Sequence, residues 1–242
     1  MRAMTKSPLR LAREALDLGQ EVLPAYSSPY SRHDYTQPQL FTILVLKVFL
    51  KTDYRGIVAV LAEWSDLRDT LGLKKKIPDH STLCYAHKRL LEQAKFQDLL
   101  TGVWTRARKL GLIKAKPEVA IDATGLETRH ISAHYVNRRG DQQFKQKTWP
   151  KLTAVYHTAT HLIAGAVAGR GPSSDSIAFA PAMHQAVTHL LPDRVLGDKG
   201  YDAEYIHVLC RDELGIRSTV IPLNQRNTGR RWPKTKYRRQ MR

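Results

Sequence analysis

The spacing of apolar residues changes its period once along the chain, at Pro117, and no other feature limits the fold as much. Before that point apolar residues recur as they do on helices. Across residues 81–111, Leu83, His87, Leu90 and Leu91 share one face, and Leu99, Leu100, Val103, Trp104 and Ala107 repeat the spacing. Ser81 is the expected N-cap of this stretch and Gly111 its expected C-terminal stop. The two short helices after the Lys74–Lys76 run fit either a helix-turn-helix reader or a plain helical bundle with a solvated basic run. The longest apolar run, Leu40 to Leu50, is 11 residues with a lysine inside. A bilayer span needs roughly 18 or more, so this run is expected as a buried helix.

After Pro117 the pattern is that of strands. In EVAIDATG, Val119, Ile121 and Ala123 fall on one side and Ala120, Asp122 and Thr124 on the other. Residues 151–169 read as two strands joined at a tight turn around Thr158 to Thr160. Residues 173–193 are expected as a crossover helix with Ile177, Ala180, Met183, Val187 and Leu190 inward, its first turn delayed or kinked by Pro181. A fourth strand ends at Asp198 in VLGDKGYDAE. A helix with Asp202 as N-cap then runs to Gly215, and IRSTVIPL supplies a fifth strand. The order predicts an α/β fold: a mixed sheet over residues 117–242 behind an α-helical region over 1–116.

Charge narrows the partners. Against 22 acidic residues stand 39 Lys and Arg, a net charge of +17 with 42% hydrophobic content. A folded chain with that surplus is suited to a polyanion, nucleic acid first, although ribosomal and membrane-surface proteins share the property. The N-terminal stretch lacks the apolar core of a signal peptide, and the two distant cysteines, Cys84 and Cys210, read as reduced thiols; both point to a cytoplasmic location. The segment 224–242 holds eight Lys and Arg and no acid. It is expected to be exposed and mobile unless a phosphate backbone orders it.

In so basic a chain, Asp122 inside one strand and Asp198 at the end of another stand out. If the two strands are neighbours, the carboxylates converge at one sheet edge, an unfavourable pairing unless a cation lies between them. Carboxylate oxygens suit Mg²⁺ or Mn²⁺, and two such ions can drive in-line displacement at a phosphodiester. The plainer alternative is that each aspartate is a cap or turn former.

AIDATGL and VLGDKGYDAE, preceded by IPDHSTL, together resemble a DDE-type insertion-sequence transposase with a ribonuclease-H-like catalytic domain, and the ordered set covers most of the chain. The resemblance implies metal-dependent DNA cleavage and strand transfer at the element's inverted-repeat ends, with two divalent metals and a homo-oligomer assembled on DNA. The helical region 1–116 would bind DNA ends or assemble the complex. Asp122 matches the first catalytic aspartate and Asp198 the second, with Lys199, Gly200 and Tyr201 in the signature beside it. The family's third carboxylate is a glutamate on a later helix. No acid follows Glu213 here, and Glu204 and Glu213 are poor substitutes. The resemblance therefore implies a core truncated before that helix or completed by a second reading frame, with a noncatalytic DNA-binding fragment as the alternative. A phosphatase using Asp122 as nucleophile is a third option, but it would want an aspartate where Thr124 stands.

Arg138, Arg139, Lys145, Lys147 and Lys151, near Tyr135 and Trp149, suit a DNA-facing loop, and a solvated hairpin flank fits them equally. Lys199, Arg230 and Arg231 complete the expected phosphate-contacting set. The four-apart histidine pairs His130/His134 and His157/His161 lie in strand or turn texture and are poor zinc sites.

Overall fold

The computed structural model describes residues 6–73, 76–90, 93–126, 148–224 and 233–240. The chain forms two compact units, Met1–Leu110 and Gly111–Arg242.

The first unit is helical, with α1 Pro8–Val22, α2 Gln37–Phe49, α3 Tyr54–Glu63, α4 Ser65–Leu71, α5 His80–Leu90 and α6 Gln93–Lys109. Local chemistry sets the boundaries. Ser7 accepts from the Arg10 amide with Pro8 at the first helical position of α1. Thr36 and Gln39 form a reciprocal capping box at α2, and the Gln39 amide also donates to the Leu71 carbonyl at 2.9 Å. Leu40, Ile43, Leu46, Ile57, Leu61 and Leu83 form the buried centre. On α1, Glu14, Asp17 and Glu21 fall on one face, and Arg106 of α6 binds all three. The expected run 40–50 is buried only along one side: Val48 is 70% exposed. Ser81 is not the cap of α5. Asp79 takes that place, accepting from the Ser81 amide and hydroxyl at 2.9 and 2.7 Å. Gly111 follows α6 with φ of +65°, the left-handed stop its position predicts.

The second unit is built on β1 Glu118–Gly125, β2 Trp149–His157, β3 Ile163–Gly171, β4 Arg194–Gly197 and β5 Ser218–Val220. Among the described residues these make one sheet in the order β3-β2-β1-β4-β5. β1 and β2 are antiparallel, as are β2 and β3, whereas β1–β4 and β4–β5 are parallel. This is the expected mixed α/β arrangement behind a helical N-terminal unit. The hairpin turns at Thr158 to Thr160, as the alternation predicted.

The crossover from β3 to β4 begins with a 3₁₀ turn, Asp175–Ala178, and continues as α7, Phe179–His189. Pro181 lacks the amide that an earlier α-helical start would use, which fits the delayed helix. The buried face matches the expected one at Met183 and Leu190, leaves Ala180 and Val187 only partly covered, and departs from it at the start. Ile177 is 72% exposed, and Phe179, Ala182 and Ala186 join Met183 on the inward side, because the 3₁₀ turn changes the angular phase before the helix begins.

After β4 come a 3₁₀ turn, Lys199–Tyr201, then α8, Glu204–Val208, and a π-turn over Leu209–Glu213. Asp202 does not cap α8. Its fully buried carboxylate accepts from the Asn224 amide and pairs through both oxygens with the Arg238 guanidinium at 2.7 Å. The described part of the basic tail, residues 233–240, is anchored at Pro233, Tyr237 and Arg238, while Lys234, Lys236 and Arg239 remain exposed as expected. Tyr237 is buried, its amide and that of Arg238 donate to Glu204, and its hydroxyl donates to Asp212. Intramolecular carboxylates order this segment, where a phosphate backbone had been the expected partner.

Candidate active site

Asp122 and Asp198 are brought together by the parallel pairing of β1 with β4. The register runs Val119 to Val195, Ala120 to Leu196 and Ile121 to Gly197. One step further stand Asp122, within β1 just past its paired stretch with β4, and Asp198, the residue after β4, both exposed. Neighbouring strands lie about 4.8 Å apart, so the two residues are side by side. From β1 the chain leaves towards β2 on one side, and from β4 towards β5 on the other. Clefts outside strand C-termini at such a divergence are where open α/β sheets bind ligands.

Backbone amides orient both carboxylates. Asp122 Oδ1 accepts from the Ala123 amide and Asp198 Oδ1 from the Gly200 amide, both at 2.8 Å. Asp198 is extended at φ −78° and ψ 172°, so it continues the line of β4 while capping the 3₁₀ turn that follows. Glycine at 200 leaves room for the carboxylates around it. A Cβ there would stand 2.9 Å from Asp198 Oδ1 and 3.5 Å from Asp175 Oδ2. Asp175 gave no signal in the sequence beyond being one more polar residue at the start of the expected crossover helix; the packing of the 175–178 turn against the 199–201 turn brings it here.

Beneath this edge lies Tyr201, fully buried and tilted against Phe179 with ring centres 5.6 Å apart. Its hydroxyl has no hydrogen-bond partner among the described residues. Burial first, then the charges of Asp175, Asp122 and Asp198, push the phenol well above its ordinary range, so Tyr201 stays a neutral donor. Lys151, at the start of β2, continues the row of Thr153, Val155 and His157. Its ammonium is ion-paired with Asp175 and donates to the Ser173 carbonyl at 2.6 Å.

Of the expected phosphate contacts, Lys151 is therefore engaged by a carboxylate, and Lys199 is exposed beside Asp198. Arg138, Arg139, Lys145, Lys147, Arg230 and Arg231 lie outside the described residues, as do His130 and His134. His157 is buried beside Thr160, 2.8 Å from its hydroxyl, and burial lowers its pKa, which makes it part of the hairpin turn. Glu204 is taken up by the tail amides.

Two hard oxygen donors at adjacent strand ends fit a divalent cation, whose charge would offset their repulsion. Among the described residues no group of three or more His, Cys, Asp or Glu side chains is arranged to hold a metal ion. No helix among them is long and apolar enough to cross a membrane.

No curated protein matches the chain in a sequence search. Residues 2–89 match the family model described as Transposase domain (DUF772), and residues 113–241, more than half of the chain, match the one described as Transposase DDE domain. The mixed sheet is consistent with the ribonuclease-H-like core of that domain, and the chain belongs to the DDE transposases of insertion sequences.

Proposed function

We propose that this transposase cleaves DNA at the ends of its insertion sequence and transfers the cut strands to target DNA, with Asp122 and Asp198 as the catalytic pair. The observation that carries the reading is the β1–β4 register, which leaves two backbone-oriented carboxylates level with each other at an exposed sheet edge. In this reading the pair holds Mg²⁺ or Mn²⁺, in keeping with the family's use of divalent metals. Two bound ions would supply charge neutralisation at the phosphate and a water or 3′ hydroxyl of lowered pKa.

The chain's own groups do the rest. The Ala123 and Gly200 amides hold the two carboxylates in orientation. Tyr201 keeps its proton and adds no fourth negative charge to the edge. Lys199 faces the solvent side of Asp198, where an incoming phosphate would arrive, and Arg138, Arg139, Lys145, Lys147, Arg230 and Arg231 extend the phosphate-contacting surface. The helical unit binds the inverted-repeat ends and assembles copies of the protein on them. A cytoplasmic location follows from such a substrate.

Labelled element-end DNA incubated with Mg²⁺ tests the reading. The protein is expected to nick at the element boundary. Asp122→Asn is expected to abolish nicking while holding or raising DNA affinity, because a charge that repels phosphate is gone. Equal nicking by the variant would remove Asp122 from the chemistry.

A further inference from the structure

The pair Lys151–Asp175 is adjacent to the two aspartates and unused by the mechanism above. Lys151 is 14% exposed and Asp175 35% exposed at the side chain, so this is not a loose surface contact. The contact with the lysine is made through Oδ1 of Asp175. Oδ2 points to the Gly200 turn, within 3.5 Å of the same point that Asp198 approaches to 2.9 Å. The turn carrying Asp175 is held on both flanks, by Lys151 on the Ser173 carbonyl and by the Tyr205 hydroxyl on the Ser176 carbonyl at 3.1 Å. Next to these carboxylates sits the orphaned, fully buried hydroxyl of Tyr201. A buried phenol with no acceptor among the described residues, in reach of the charges of all three carboxylates, is a donor that a shifted carboxylate can use.

We propose that Asp175 is a third metal-binding carboxylate of the site, held back by Lys151 until a DNA phosphate takes the lysine. The exchange is chemically matched. A phosphate oxygen replaces a carboxylate oxygen on the ammonium, and the released carboxylate finds a cation at Asp122 and Asp198 and a donor at Tyr201. Metal affinity thereby rises when substrate is in place. The inference rests on the reading of Asp122 and Asp198 as metal ligands.

Mn²⁺ binding, followed by loss of the free-ion paramagnetic signal, separates the two. If Asp122→Asn and Asp198→Asn leave Mn²⁺ binding unchanged, the parent reading fails. If they abolish it, Lys151→Met is expected to tighten Mn²⁺ on the order of 10-fold without DNA, since a supporting ligand typically changes affinity by 10–100-fold. Lys151→Gln serves in its place if the methionine variant unfolds. Unchanged affinity in a folded Lys151 variant overturns the latch.

Through-space charge alone could also tighten the metal, so ligation is tested separately. Asp175→Cys in the Lys151→Met background, titrated with Cd²⁺, is expected to give an ultraviolet sulfur-to-metal charge-transfer band, because thiolate is a soft ligand. The Lys151→Met protein, which keeps Cys84 and Cys210, supplies the baseline. Absence of the band, with Mn²⁺ binding still dependent on Asp122, overturns Asp175 as a ligand and leaves the parent reading standing.

Discussion

Gly200 is the residue on which the site's geometry turns. The contact its Cβ would make is with the carboxylate of Asp198 itself, the far end of a side chain that can rotate away. The cost of Gly200→Ala therefore falls on orientation more than on folding. The variant is expected to unfold within about 1 kcal/mol of the parent and to nick DNA about 100-fold more slowly, the scale of a 1 Å misplacement. Thermal unfolding and the nicking assay check the two halves; a large loss of stability with intact nicking would show that Gly200 serves the fold instead. The placement of Asp122 and Asp198 on neighbouring strands was legible in the sequence, because period-2 alternation and short apolar runs identify the strands that carry them. Asp175 was not, since its importance comes from a turn-to-turn contact that no local spacing encodes.

The elements divide in the same way. β1, β2 and β3 could be read from alternation, and the hairpin turn from its run of threonines and histidines. The inward face of α7 was legible only in part, at Met183 and Leu190, because the preceding 3₁₀ turn shifts the phase by an amount that periodicity does not record. The seat of the tail was also hidden: eight Lys and Arg without an acid read as a free basic arm, and the acids that bind it, Asp202, Glu204 and Asp212, lie before, in and after α8. That docking has a defined pH dependence. Burial pushes Asp202 upward, but the Arg238 hydrogen bonds, the Asn224 amide and the Arg238 charge outweigh it and hold the carboxyl below its ordinary 3.8. Glu204 is depressed below 4.5 in the same way, with burial opposed by the Tyr237 and Arg238 amides. A depressed carboxyl stabilises the fold above its unfolded value, and that contribution fades as pH falls through the folded value. Stability is therefore expected to hold down to about pH 4 and to drop below it. Arg238→Ala strands a buried charge, at a cost of about 3–5 kcal/mol near neutral pH. Because Asp202 then loses its depression, the variant should lose less on acidification than the parent. Equal acid sensitivity in the two proteins would show that the pair does not anchor the tail.

Across the whole molecule, the net charge of +17 is distributed unevenly between spent and available cations. Arg106 is surrounded by three acids of α1, Arg217 and Arg194 are paired with Asp193 and Glu118, and Arg238 with Asp202. Those cations have little to offer a phosphate without first leaving a carboxylate. Lys199 has no such pairing among the described contacts and faces outward beside Asp198. Counterion release makes the distinction measurable, because each phosphate contact adds about 0.9 to the slope of log affinity against log salt on duplex DNA. Lys199→Ala is expected to flatten that slope by about one contact, with affinity falling uniformly across sequences. Arg238→Ala should leave the slope unchanged wherever the variant remains folded, since its charge is committed internally. A slope that falls equally in both would mean that the tail leaves its seat on DNA, trading Asp202 for phosphate as Lys151 trades Asp175.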